Sequence, residues 1–134
     1  MDALDAVLTQ MDLGFIGSAR HKILVPDLLA DANAVLLDVR TAEEAATVKL
    51  DFVHHVSSIN IPLHCLPQQF ALVPTDKIVG IFCPHAVRAA IAYTYLRAHG
   101  YVKVYVVEGG YAALVEEARP GKVLAQINKA IVKD

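Results

Sequence analysis

Five short apolar runs, each followed by a stretch of helical character, constrain this chain more than any other feature. The runs cover residues 23–25, 34–39, 58–61, 78–82 and 102–107. Helical stretches are predicted at 27–30, 41–48, 66–72, 87–99, 111–117 and 122–131. Strands that alternate with helices need crossover connections and so build a mainly parallel sheet. Strands buried on both faces lose the polar–apolar alternation, as Ala34 to Leu37 and Ile78 to Phe82 do. Pro62 closes the third run, Gly100 is placed to cap the fourth long helix, and Gly109-Gly110 makes a turn after the fifth run. Ahead of all this, Met1, Leu4, Leu8 and Met11 recur at helical spacing beside Val7, with Gly14 as the expected stop. The reading is an N-terminal helical arm, 1–22, and an α/β domain, 23–134. The arm is expected to pack on its own domain, and it also offers a surface for pairing two copies.

Composition narrows the partners. The 134 residues are 55% hydrophobic and 19% charged, enough apolar matter for one core. A net charge of −2 and a pI near 6.3 argue against nucleic acid or an anionic membrane as partner. No apolar run approaches the ~18 residues of a membrane span. The acidic start, Met1-Asp2-Ala3-Leu4-Asp5, lacks the basic opening of a secretory signal. Two cysteines, Cys65 and Cys83, form neither a disulfide framework nor a CxxC pair. Free thiols in a reducing, cytoplasmic compartment are expected.

Cys83 is the chemical focus. It ends the buried run at 78–82 and precedes the predicted helix at 87–99. Open α/β sheets place their sites at the carboxyl ends of strands. The first turn of a helix has unpaired N–H groups and partial positive charge, which favour a thiolate, a persulfide or an oxyanion. Pro84 has no N–H, so the expected donors are those of His85, Ala86, Val87 and Arg88. Ala86 fits only at negative φ or under modest strain. Arg88 is the cationic partner at the rim, suited to attract an anion. His85 is either an exposed loop residue or a proton donor, and no catalytic triad is set by spacing. Asp38 and Arg40 end the second run at the same edge of the sheet. His54-His55, His64 and Cys65 match no common zinc spacing, so neither metal nor cofactor is expected. Cys65 is read as a packed residue rather than a resolving thiol.

Four landmarks fall in order: Leu36-Leu37-Asp38-Val39-Arg40-Thr41-Ala42-Glu43-Glu44, Ile59-Asn60-Ile61-Pro62-Leu63, Cys83 to Arg88, and Gly100 to Gly110. Together they resemble the rhodanese-like sulfurtransferases, from about Ile23 to Val115. The resemblance implies a rhodanese-like fold, a five-stranded parallel sheet flanked by helices on both faces. It implies that Cys83 accepts sulfane sulfur as a persulfide, from a donor such as thiosulfate, and passes it to cyanide, a small thiol or a sulfur-relay protein. It gives Asp38 and Arg40 a supporting, structural role. This chain departs from the family pattern at Ala86, where glycine is usual, and at Ala89 and Pro84. It departs again between Glu44 and Ile59, where Phe52-Val53-His54-His55-Val56 replaces a glycine-bounded turn. Two other readings stand beside enzymatic transfer. One is a non-enzymatic sulfur carrier or partner-binding module. The other, less favoured, is a phosphatase or arsenate reductase of the same fold. Those relatives have one more residue between cysteine and arginine than the four found here.

Overall fold

The structure, a computed structural model, describes residues 2–133; Met1 and Asp134 lie outside the described residues. A parallel sheet of five strands runs through it: β1 (Lys22–Ile23), β2 (Val35–Asp38), β3 (Ser57–Asn60), β4 (Val79–Phe82) and β5 (Val104–Val107), in the order β1-β5-β4-β2-β3. All four positions of β2 and of β4 are buried, which is why both strands read as unbroken apolar runs. Val35 and Leu37 point to one face and Leu36 to the other, so one strand feeds two separate cores.

The first core is closed by α6 (Val87–Ala98), which buries Ala89, Ala92, Tyr93 and Leu96. That spacing of three and four residues marks one helical face. Leu66 of α5 (Leu66–Gln69) joins the same core. The opposite core takes Val25, Leu28 and Leu29 of α3 (Val25–Ala30) and Leu114 of α7 (Gly110–Glu116). The remaining helix of the sheet layers, α4 (Ala42–Thr47), follows β2 directly. The C-terminal α8 (Pro120–Lys133) lies on the α3 side, where its Lys122 and Gln126 border a cleft with Pro26 and Leu29.

Three predicted elements differ from those observed. The first strand stops at Ile23, because Leu24 is the extended cap of α3 and Pro26 pre-sets its first turn. The helix expected over 66–72 is the four-residue α5 between 3₁₀ turns at Leu63–Cys65 and Phe70–Leu72. The Tyr101 hydroxyl anchors its exit, 2.9 Å from the Phe70 carbonyl and 2.8 Å from that of Val73. Gly14 does not end the arm. The arm is two helices, α1 (Ala3–Thr9) and α2 (Leu13–Gly17), and Asp12 starts the second by accepting the Phe15 N–H at 2.9 Å. The arm packs on its own domain: α1 lies along α6, Val7 is buried, and Gln10 accepts a 2.9 Å hydrogen bond from Arg97. Among the described residues, no helix is long and apolar enough to cross a membrane.

Candidate active site

The carboxyl ends of β2, β4 and β5 meet at one edge of the sheet. Asp38 pairs in register with Phe82, so Cys83 comes out level with Val39, one residue before Arg40. Cys83 is 3% exposed, and its Sγ accepts a hydrogen bond from the Ala89 N–H at 3.2 Å. That donor lies inside the first turn of α6, past the span 85–88 named from sequence. The thiol therefore sits against the helix, not at the middle of the loop. Among the described residues, none accepts a hydrogen bond from the N–H groups of His85, Ala86, Val87 or Arg88. These free donors lie at the positive end of a 12-residue helix, a place that favours an anion. His85, Ala86 and Val87 are exposed, and Pro84 is half-buried.

Ala86 takes the strained alternative foreseen for it, with φ +66° and ψ −17°. An L-residue in the left-handed region loses roughly 1–2 kcal/mol through crowding of its Cβ. Ala86→Gly is expected to raise unfolding stability by about 1 kcal/mol, read as a higher urea midpoint at unchanged slope. An unchanged or lower midpoint would contradict a strained loop.

The β5–α7 turn braces this loop from behind. Gly110 has φ +58°, and a Cβ there would lie 2.7 Å from the Pro84 carbonyl oxygen. Only glycine allows the two backbones to approach so closely. Tyr111 then accepts a 3.0 Å hydrogen bond from Nη1 of Arg40.

Arg40 is fully buried and makes a forked pair with Asp38, Nε to Oδ1 at 2.9 Å and Nη2 to Oδ2 at 2.7 Å. Its guanidinium lies 5.5 Å from the ring centroids of both Phe82 and Tyr111. The hydrogen bonds that Arg40 donates to Asp38 outweigh burial, so Arg40 holds its proton more firmly than usual. Asn60 ties β3 to this edge by donating to the carbonyls of Asp38 and Arg40, at 2.9 and 3.0 Å. The pair frames the site but makes no recorded contact with Cys83.

Arg88 has a partner the sequence reading missed. Glu44 accepts from Nη1 at 2.6 Å and from Nη2 at 2.9 Å. Glu44 is also the third residue of α4, where it accepts the Thr41 N–H at 3.1 Å and Thr41 Oγ1 accepts its own N–H at 3.2 Å. This reciprocal capping box was visible as Thr41-Ala42-Glu43-Glu44. The Arg88 guanidinium, then the Thr41 N–H, hold the Glu44 carboxyl down at about 2, against an ordinary 4.5. Hydrogen bonding to Glu44 in turn raises Arg88, with the nearby Cys83 adding to it. A carboxyl depressed in the folded state contributes stability above its unfolded value and loses it as pH falls. Wild type is thus expected to lose more stability than Glu44→Gln between about pH 4.5 and 2. Melting temperatures followed across that window test this; parallel curves would contradict it.

A separate cleft of about 210 Å³ is lined by Leu50, Phe52, His54, His55 and Val115 and contains none of residues 83–88. His55 sets its ring edge-on to Phe52 at 5.8 Å. The histidine pair thus walls a cleft away from the cysteine.

Residues 24–117 match the family model described as "Rhodanese-like domain". A sulfurtransferase of Allochromatium vinosum is 32% identical over 93 residues, 69% of this chain and 82% of that protein. A tRNA sulfurtransferase of Psychromonas ingrahamii is 33% identical over 100 residues, 71% of this chain but only 20% of that protein. Among solved structures, a rhodanese-related protein of Thermoplasma volcanium superposes with a TM-score of 0.60 at 28% identity, covering 75% of this chain and 95% of the other. A NAD-dependent persulfide reductase of A. fulgidus gives 0.56 at 27% identity over 74% of this chain and 17% of that one. With its sheet order, its buried cysteine at the head of α6 and a likeness that spans most of its length, the chain belongs to the rhodanese-like sulfurtransferases.

Proposed function

We propose that this protein moves sulfane sulfur through a persulfide on Cys83. The observation that carries the reading is the Sγ of Cys83, held by the Ala89 N–H at the head of α6, with the backbone donors of the preceding loop free. In the first half-reaction the Cys83 thiolate attacks the outer sulfur of a donor such as thiosulfate. The donor's S–S bond breaks, the leaving group keeps the electron pair, and a new S–S bond forms on Cys83. In the second, cyanide or a thiolate attacks that outer sulfur and Cys83 leaves as the thiolate. The sulfur gains and loses no electrons over the cycle. The free N–H groups of His85 to Arg88 supply what the persulfide anion needs, hydrogen bonds fixed before the charge arrives. No metal or cofactor enters these steps.

Two relatives bear on the acceptor. The tRNA sulfurtransferase and the persulfide reductase are far longer than the stretch this chain matches, so in both a domain of this kind works beside others. That supports transfer to a protein partner in a sulfur relay, alongside small thiols. Free thiol chemistry of this sort suits a reducing, cytoplasmic setting.

Intact-protein mass spectrometry after incubation with thiosulfate, and separately with polysulfide, tests the reading. Gain of one sulfur atom, located on Cys83 and removed by cyanide, is the expected result. Failure to load from any sulfane donor would overturn it.

A further inference from the structure

Building on the Cys83 reading, we propose that the donor is an organic persulfide, a thiol carrying one sulfane sulfur, and that Glu44 sets this choice by neutralising Arg88. The argument is one of charge at the mouth of the site. Thiosulfate is a dianion and needs an unpaired cation to replace its water. The two arginines at this edge each carry their own carboxylate: Arg40 is forked onto Asp38, and Arg88 onto Glu44. Their four charges sum to zero.

Glu44 is not free to swing aside for an incoming anion. Its Oε1 also accepts from the Thr41 N–H and hydroxyl, at 3.1 and 3.0 Å, and its backbone carbonyl takes a 3.4 Å hydrogen bond from Arg40. Competition for Arg88 must therefore break the start of α4 as well as the ion pair. Beyond the loop the surface is apolar, with Val87 66% and Ile91 52% exposed one turn apart on α6. What the site does offer is backbone N–H groups, enough for the single negative charge that transfer leaves on Cys83.

A persulfide matches this site in charge. Cys83 thiolate attacks the terminal sulfur of R–S–SH; the donor's S–S bond breaks and R–S⁻ departs with the electron pair. Cys83 gains that one sulfur and becomes Cys83–S–SH, and no oxidant or reductant is needed.

The test compares second-order loading rates for thiosulfate and glutathione persulfide by intact mass, at pH 8, where an ordinary imidazole is neutral. Glu44→Gln keeps the capping box, since glutamine serves at that position, but removes the charge. Freeing Arg88 should raise thiosulfate loading about tenfold, the Coulomb gain for a dianion about 6 Å from an unpaired cation in water-like surroundings, and that of a singly charged persulfide about threefold, so the thiosulfate-to-persulfide rate ratio should rise about threefold. Added salt should erase that gain, and Glu44→Gln/Arg88→Met should restore the wild-type ratio. In wild type, thiosulfate loading should change less than about twofold with salt. A ratio unmoved or lowered in Glu44→Gln, or a steep salt dependence in wild type, would overturn the inference and leave the Cys83 reading standing. Loading of Cys83 by neither donor would overturn the Cys83 reading itself. A peptide-borne persulfide run in parallel separates the sources. Loading tenfold faster than the glutathione form assigns a protein donor, and equal rates assign a small one; both support the proposed class.

Discussion

Asp38→Ala is expected to lower unfolding stability by about 3–5 kcal/mol, a loss that leaves a domain of this size barely folded. Arg40 is the largest fully buried side chain among the described residues, and Asp38 is the carboxylate that neutralises it. The Asp38 side chain also accepts the backbone N–H of Arg40 at 3.0 Å. With the carboxylate gone, the buried guanidinium keeps only the Tyr111 hydroxyl, the Glu44 carbonyl and two aromatic faces. None of these carries a compensating charge. The contrast is Arg119–Glu116, whose side chains are 68% and 54% exposed. Such a surface pair is worth near zero, so Glu116→Ala should leave stability almost unchanged. Urea unfolding of Asp38→Ala, Arg40→Leu and the double Asp38→Leu/Arg40→Leu separates charge from shape. The double should recover much of the loss, because no unpaired charge remains inside. A cost below about 1 kcal/mol for Asp38→Ala would mean that water reaches Arg40.

The effect reaches the site through Arg40. Its Nη1 group touches both the Glu44 carbonyl and Tyr111. The first begins the helix whose carboxylate holds Arg88, and the second follows the Gly110 that backs Pro84. The residues expected to be merely supporting thus set the positions of the two elements that frame the cysteine loop.

How much of this was legible in the sequence depends on how local each contact is. The sheet was legible because parallel strands buried on both faces must be apolar throughout, and 34–39 and 78–82 are. The cysteine was legible because a strand end, a thiol and a helix start adjoin in the chain. The partner of Arg88 was not. Thr41 and Glu44 announce a helix start, but the link from Glu44 to Arg88 spans 44 residues. It exists because β2 and β4 are neighbours, a sheet order that the alternation of elements does not specify. The bond from Arg40 to Tyr111 spans 71 residues and was hidden for the same reason. The donor to Sγ was misplaced by one residue, since Ala89 in the first turn of α6, rather than the span 85–88, reaches the sulfur. At Ala86 the sequence carried the opposite of a signal: a residue with a Cβ stands where the backbone needs none.

Cys83→Ser is expected to reduce sulfur loading by at least about a thousandfold, whereas Cys65→Ser should keep most of it. Both cysteines are free, so the comparison isolates surroundings rather than thiol count. Cys65 ends the 3₁₀ turn before α5 and packs, half-buried, against the core beneath α6. Cys83 has the Ala89 N–H on its sulfur and free donors around it. Serine preserves the size of the side chain and its link to Ala89, so the fold and the loop should persist. What it removes is a sulfur nucleophile that bonds reversibly to another sulfur. The readout is intact mass after a sulfane donor, then cyanide, for both variants beside wild type. Wild-type sulfur uptake by Cys83→Ser would move the acceptor to Cys65 and overturn the assignment. Loss in both variants would mean that both thiols are needed for loading and would overturn the assignment to Cys83 alone. Loss in Cys83→Ser alone follows if the helix terminus, not the mere presence of a thiol, is what makes this edge of the sheet reactive.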